Sequence, residues 1–301
     1  MFMNKKLIEH IIDKKITTNG MIETRIQGLQ LFKITEPIQC APAVYQPSIT
    51  AIVRGGKEAI WGGNKHRYDN SKYICCTMSM PIETGTPETS LENPLLGAYI
   101  SLDSRLMTEV ALEMESNRGS SQKITSAASP QGVTTAIWDE SFTDALYRLL
   151  LLEEHSMDLA ILGKSRLREL YYAILTGEAG NSFTRAFGIG NEIARSIKFL
   201  SSHLTETITI DDLADEVGMS RAVFHRKFKQ ATNMSPIQFV KSMRLNHAAM
   251  NIAGGANVNV AAMDVGYISS SQFSREFKRM YGLSPKQWAK SKERIERSAL
   301  S

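Results

Sequence analysis

Residues Phe224 to Val240 read FHRKFKQATNMSPIQFV, and 49 positions later Phe273 to Ala289 read FSREFKRMYGLSPKQWA. At that single offset Phe224, Arg226, Phe228, Lys229, Ser235, Pro236 and Gln238 recur as Phe273, Arg275, Phe277, Lys278, Ser284, Pro285 and Gln287. Asn233 aligns with Gly282 and Met234 with Leu283. An echo this dense marks a duplicated supersecondary unit, and its apolar spacing and turn residues make that unit a helix–turn–helix.

Working outward, residues 212–220 (DLADEVGMS) predict a short helix ending at Gly218, the residue best suited to a left-handed C-terminal position. Ser220 then reads as the N-cap of a second helix that buries Val223, Phe224 and Phe228. Its outer side carries Arg221, Ala222, His225, Arg226 and Lys229. The second copy repeats the plan, with a turn at Val265, Gly266 and Tyr267, a capping Ser269 or Ser270, and core Phe273 and Phe277. Ser271, Gln272, Arg275 and Lys278 face outward. Asn233 and Gly282 each close a unit, and both residue types tolerate positive φ. Ser-Pro follows in both copies, an N-cap with proline at the first helical position. Between the units, Pro236 to Ile252 predicts one helix of about 17 residues, a strut about 25 Å long.

At this point the sequence resembles the AraC/XylS family of bacterial transcription regulators. IDDLA (210–214), GMS (218–220), the paired Phe224 and Phe228, Ser235-Pro236, RLNHAA (244–249), VGY (265–267) and the second Ser284-Pro285 sit in that family's order over about 190–292. Ala261, Ala289 and Asn233 depart from its usual residues. The resemblance implies that each unit's second helix enters a major groove of double-stranded DNA. Arg226 and Arg275 are the first candidates for base contact, because Arg donates two hydrogen bonds to guanine O6 and N7. His225, Arg221, Ser271 and Gln272 rank second, with Ala222 on the same face, and Lys229 and Lys278 suit phosphate or helix ends. The alternative for each Arg is phosphate contact or an acid on its own helix. Adjacent major grooves on one face of DNA lie about 34 Å apart, so one chain is expected to read two of them.

Composition fits a globular protein of two domains, with 43% hydrophobic and 22% charged residues over 301 positions. From residue 190 onward Lys and Arg outnumber Asp and Glu by 16 to 10, which places the basic excess at the DNA-reading end. The expected division is 1–176 for effector sensing and dimerisation, 177–189 as linker, 190–292 for DNA binding, and 293–301 as tail. The DNA-binding units are placed at 210–232 and 258–281. No apolar run is long enough to span a bilayer, and MFMNKKLIEHII lacks a signal peptide's core, so a cytoplasmic protein is expected. Cys40, Cys75 and Cys76 form no CxxC pair and indicate neither a disulfide framework nor a zinc site. No cofactor is implied.

Residues 20–102 alternate short β-branched stretches with glycine pairs at Gly55-Gly56 and Gly62-Gly63, a pattern that predicts a small β-barrel. Its order resembles the cupin-like N-terminal sensor of one AraC/XylS subgroup, making the chain an α+β protein with an all-α tandem helix–turn–helix end. A metal-dependent cupin enzyme needs clustered histidines with a carboxylate, and His66 is the barrel's one histidine. Ile137 to Glu154 and Asp158 to Leu175 predict two amphipathic helices packed on the barrel, and the resemblance adds a dimer interface made by one of them. Gly177 to Ser182 reads as a loop. Tyr45, Trp61, Tyr68 and Tyr73 are candidates for enclosing a small, partly apolar effector, against the alternative that aromatics at strand spacing are plain core. A cavity-facing Cys75 or Cys76 offers a second route, reaction with an electrophile or oxidant.

These residues predict a sequence-specific, DNA-binding transcription regulator that responds to a small molecule and acts as a homodimer. The resemblance implies an activator, with RNA polymerase as partner. Two alternatives remain at this level: a cupin-type enzyme with an appended DNA-binding module, and a DNA-binding protein whose N-terminal domain only dimerises.

Overall fold

The computed structural model describes residues 2–117, 131–188, 191–206 and 208–290. It opens with a helix that the sequence reading did not anticipate, α1 (Phe2–Lys15). Ile8, Ile12 and the following Ile16 recur every fourth residue, fall on one stripe and are fully buried. Arg54 holds Glu9 at 2.7 Å and Lys33 holds Asp13 at 2.9 Å, fastening the helix to the strands below it.

The strands are β1 (Gly20–Glu23), β2 (Leu29–Ile34), β3 (Ile38–Tyr45), β4 (Ser48–Arg54), β5 (Gly56–Trp61), β6 (Asn64–Asp69), β7 (Lys72–Cys76), β8 (Met80–Thr86), β9 (Leu95–Ser101) and β10 (Val133–Ile137). They form two antiparallel sheets rather than the single closed barrel expected from sequence. One has the order β1-β2-β9-β4-β7-β10 and the other β3-β8-β5-β6. The hydrogen-bonded ladders stay within each sheet, and the chain passes between the sheets several times, most tightly from β4 to β5 through Gly55. There φ is +78° and a Cβ would stand 2.9 Å from the Pro94 carbonyl oxygen, so only glycine fits. Phe32, Ile52, Ile74 and Leu95 from the first sheet meet Val44, Ala59, Met80 and Ile82 from the second in one shared core. The first sheet's other face presents Leu31, Ile49, Ala51, Tyr73, Cys75 and Ile100 to the helices. Central strand β4 is therefore buried on both faces.

Those helices are α2 (Ser104–Asn117), α3 (Glu140–Leu151), α4 (Ser156–Thr176) and α5 (Gly180–Phe187), with a short 3-10 turn at Leu152–Glu154. Helix α3 starts later than the periodicity predicts, because Ile137 ends β10 and Asp139 caps the helix by accepting from the Phe142 N–H. Tyr73 stacks on Phe142 at 3.9 Å, joining strand β7 to this layer. A loop was expected from Gly177 to Ser182; α5 takes up its second half from Gly180, because Phe183 and Phe187 are both buried in the helical core. Gly180 permits the tight approach, since a Cβ there would fall 2.1 Å from the Leu175 carbonyl oxygen.

The remaining helices are α6 (Glu192–Ser202), α7 (Ile210–Glu216), α8 (Arg221–Thr232), α9 (Pro236–Ala253), α10 (Val258–Met263) and α11 (Ser270–Tyr281), followed by helical residues 285–290. Leu213, Phe224, Phe228, Phe239 and Met243 unite α7, α8 and α9 with Ile193, Ile197 and Leu200 of α6, and this cluster is continuous with the core between the sheets. Leu245, Ala249, Ile252, Val265, Phe273 and Phe277 form a separate core around α10 and α11. The tail expected at 293–301 lies outside the described residues.

Candidate nucleic-acid interface and ligand cavity

Each helical pair is set by its caps. Thr209 and Asp212 form a capping box at the start of α7, Gly218 takes φ +66° in the turn, and Ser220 stands at the N-cap of α8. With Phe224 and Phe228 fully buried, Arg221, Ala222, His225, Arg226 and Lys229 are all exposed on the opposite side, and Val223 is half-buried. Asn233 closes α8 at φ +59°. In the second pair Gly266 takes φ +81°, and Ser269 caps α11 by accepting from the Gln272 N–H. Ser271, Gln272, Arg275 and Lys278 are exposed there, opposite buried Phe273 and Phe277. The structure thus brings the sequence-derived set onto two equivalent helix faces.

The side chains differ in how free they are. Arg221 is held by Asp211 at 2.9 Å, and the Gln272 amide reaches Glu276 at 3.4 Å. Among the described residues no ion pair involves Arg226 or Arg275. Glu276 ties α11 to its surroundings, accepting from the Tyr267 hydroxyl at 2.8 Å and pairing with Lys241 of α9 at 3.2 Å. Burial opposes ionisation of Glu276, but hydrogen bonds from Tyr267, Lys241 and Gln272 outweigh it and leave the carboxyl below its ordinary value. Sequence reading missed Arg244, whose guanidinium donates to the carbonyls of Leu204 at 3.0 Å and Glu206 at 2.7 Å. These bonds seat the strut α9 against the segment leading into α7. At 18 residues the strut is about 27 Å long.

A cavity of about 430 Å³ lies between the two sheets. Phe32, Ile34, Ile38, Val44 and Leu95 give it apolar walls, and Tyr45, Lys57, Thr84, Thr86 and Tyr99 gather as polar groups. The Lys57 ammonium sits 5.3 Å from the centre of the Tyr45 ring. The Thr84 hydroxyl lies 3.0 Å from the Glu58 carbonyl, so its single proton goes there and it accepts from the Tyr45 hydroxyl at 3.0 Å. Burial opposes ionisation of Tyr45, yet the Lys57 charge and these hydrogen bonds leave its hydroxyl below the ordinary tyrosine value. The Thr86 hydroxyl is buried with no partner.

Of the residues expected to line an effector site, Tyr45 lines this cavity. Trp61, stacked on His66 at 3.6 Å, and Tyr68 and Cys76 belong to the shared core. Tyr73 and Cys75 point through the other face of the first sheet into the helical layer. Burial pushes the Cys75 thiol well above its usual value and the Cys76 thiol to about 12, and Cys76 donates to the Met78 carbonyl. Lys57, Phe32 and Thr86 were missed; the cue present in sequence was a lysine directly after Gly55-Gly56 inside an otherwise alternating strand. Among the described residues no three His, Cys, Asp or Glu side chains gather as a metal site, and no helix is long and apolar enough to cross a membrane.

Residues 25–182, just over half of the chain, match the AraC-type transcriptional regulator N-terminus, and residues 213–291 match a helix-turn-helix domain. The chain belongs to the AraC-type transcriptional regulators. That membership sets aside the cupin-type enzyme alternative. An uncharacterized HTH-type transcriptional regulator of Haemophilus influenzae is 42% identical over 83 residues, covering 27% of this chain and 28% of that protein. The raffinose operon transcriptional regulatory protein RafR of Pediococcus pentosaceus is 28% identical over 147 residues, 48% of this chain and 53% of that one. The chain thus spans about half or less of the length of these curated relatives. Among solved structures, ToxT of Vibrio cholerae superposes with a TM-score of 0.57 over 87% of this chain and 97% of that one at 13% identity, a similarity of fold. The expected two-part α+β architecture of AraC-type regulators is therefore present, with paired sheets in place of a closed barrel.

The burial of the adjacent thiols makes a direct prediction for this AraC-type chain. In the native state iodoacetamide leaves Cys75 and Cys76 unmodified, and both react once the protein is unfolded in urea. Peptide mass spectrometry reads this, and rapid native alkylation of either residue would contradict the packing described.

Proposed function

We propose that this chain is a sequence-specific DNA-binding regulator of transcription whose N-terminal sheets take up a small-molecule effector. The observation carrying the reading is the pair of exposed arginines, Arg226 and Arg275, on equivalent faces of two helix–turn–helix units joined by one rigid helix. In this reading α8 and α11 enter successive major grooves. Arg226 and Arg275 address bases, with His225, Arg221, Ser271 and Gln272 beside them, while Lys229 and Lys278 hold phosphates. The strut of about 27 Å is shorter than the groove repeat of about 34 Å, so the DNA bends toward the protein or one helix inserts less deeply. Residues 1–176 supply sensing and dimerisation and 190–292 supply DNA binding, in the cytoplasm. As an activator, the role the family resemblance implies, the protein engages RNA polymerase.

The effector chemistry follows from the cavity. Apolar walls with Lys57 as the lining cation, and with the unpartnered Thr86 hydroxyl, suit a compact apolar molecule bearing one carboxylate. Solved ToxT structures include one bound to an unsaturated fatty acid and one bound to a naphthalenyl butenoic acid. At their low identity these similarities carry fold alone, and the assignment here rests on the cavity of this chain.

Homodimer formation is supported by the start of α4, where Met157 and Ile161 are 74% and 71% exposed beside Leu162. Asp158 and Lys164 stand three residues before and three after Ile161, so antiparallel pairing with a second copy about Ile161 sets opposite charges together.

Selection of binding sites from random DNA is expected to yield a two-block motif. Arg226→Ala and Arg275→Ala each relax one block, costing about 1–3 kcal/mol at the contacted base; motif-free binding in the unaltered chain would end the reading. For the cavity, octanoate should raise the melting temperature more than octanol does, and Lys57→Met should abolish the difference. Equal shifts in the unaltered protein exclude the carboxylate assignment. Sedimentation of Ile161→Asp should show monomer where the unaltered chain is dimeric, and an unchanged dimer places the interface elsewhere.

A further inference from the structure

Asn246 is a polar residue in the middle of α9, yet it is only 1% exposed. Its amide donates to the Ala43 carbonyl at 2.8 Å and to the Ile82 carbonyl at 3.1 Å. Ala43 and Ile82 are cross-strand partners in the β3–β8 ladder, so one side chain grips both strands at one rung. Its oxygen accepts from the hydroxyl of Tyr281, the last residue of α11, at 2.6 Å. Both amide hydrogens and the carbonyl are thus engaged at the same time. Burial and the nearby Glu83 carboxylate hold the Tyr281 hydroxyl firmly protonated, so it remains a donor.

The same strands wall the cavity. Ala43, Val44 and Tyr45 of β3, and Thr84 and Thr86 of β8, line it. Whatever fills the cavity therefore acts on the strand pair whose carbonyls hold Asn246. A hydrogen bond weakens steeply once distance or angle leaves its narrow range, so a small shift of β3 against β8 breaks a two-carbonyl grip. The second helix–turn–helix unit has a core of its own, separate from the core between the sheets, and so can change its seating without unfolding.

We propose that Asn246 is the positioning residue through which the cavity between the sheets sets the orientation of the second DNA-reading helix, α11, by way of Tyr281. The proposal rests on the reading of α11 as a recognition helix and of the cavity as the effector site. Occupancy that keeps the rung intact holds α11 in one orientation, and occupancy that spreads it releases Tyr281 and reorients Arg275. The coupling is polar and local, and it bypasses the first unit.

Hydrogen exchange of the full chain, read by mass spectrometry without DNA or ligand, tests this on its own. Asn246→Leu keeps the branched outline and the number of side-chain heavy atoms and removes all three hydrogen bonds. It should speed exchange in 38–45, 80–86 and 270–281 by about fivefold or more while leaving α8 unchanged. Tyr281→Phe, a milder change, should speed exchange in 270–281 and leave both strands unchanged. Ile38→Trp, which fills the cavity rim from an exposed β3 position, should alter exchange in 270–281 in the unaltered background and lose that effect when combined with Tyr281→Phe. An α11 that ignores Ile38→Trp, or that responds equally in both backgrounds, overturns the proposal, as does a uniform rise across the chain in both Asn246→Leu and Tyr281→Phe. If the protein proves to select no DNA motif, the regulator reading fails while this exchange experiment still decides the role of Asn246.

Discussion

The structure depends on one continuous apolar cluster that does two jobs. Phe228 packs edge-on against Phe239 at 5.1 Å, closing the first helix–turn–helix unit, and the same cluster runs on into Met80, Ile82 and Trp61 between the sheets. The backbone reinforces the seam, since Gly132 donates to the Ala231 carbonyl at the end of α8. Gly62 meets Asn233 so closely that a Cβ on the glycine would lie 2.8 Å from the asparagine Cβ. Pulling the first unit away exposes this apolar surface at about 25 cal/mol per Å². The second unit, with its own core, carries no such penalty. The second helices of the two units, α8 and α11, are therefore unequal in freedom: one is built into the sheets, and the other is held by α9 and polar contacts.

In the proposed reading, that inequality shapes how DNA recognition is assembled. Arg226 projects from the fixed unit and Arg275 from the adjustable one, while Glu276, next to Arg275, is anchored by Tyr267 and Lys241. The anchor ties α11 to the strut at Glu276, so α11 pivots about that point while α9 stays with the first unit. Arg244 and its two carbonyl acceptors pin the strut to the segment before α7, which confines such motion to a tilt about the strut rather than a free swing. The charge excess of the C-terminal third is modest, 16 basic against 10 acidic residues, so in the proposed reading affinity for arbitrary DNA is limited and discrimination falls to the helix faces.

What was legible in the sequence was local. Caps, left-handed closures and buried phenylalanines are fixed by residues a few positions apart, which is why Gly218, Asn233 and the Ser-Pro pairs could be placed from the repeat. The period-two rule also implies that adjacent Cys75 and Cys76 face opposite sides of their strand, as they do. The illegible features are those made by distant partners. Whether strands close into a barrel depends on which edges pair, and no residue near Gly55 encodes that. Helix α1 becomes identifiable only once a sheet face exists to receive Ile8, Ile12 and Ile16. The polar end of the cavity joins Lys57 of β5 to Tyr45 of β3, strands that are not hydrogen-bonded neighbours but flank β8. Aromatic residues at strand spacing were a poor guide to it, because most of them fill the cores.

Asn246 marks the boundary between the two kinds of information. Its sequence neighbours Leu245, Ala248 and Ala249 announce a buried helix face, and an asparagine among them reads as the face's solvent edge. Burying an amide without partners costs free energy, whereas two carbonyls from one strand rung and a tyrosine hydroxyl satisfy it completely. An apolar residue at this place would tolerate several seatings of α9 on the sheets, since apolar contact is not directional. The amide accepts only the seating in which Ala43 and Ile82 both present their carbonyls. A single buried polar side chain thus makes the docking of helix on sheet specific, and for the same physical reason makes it sensitive to small displacements of the strands beneath.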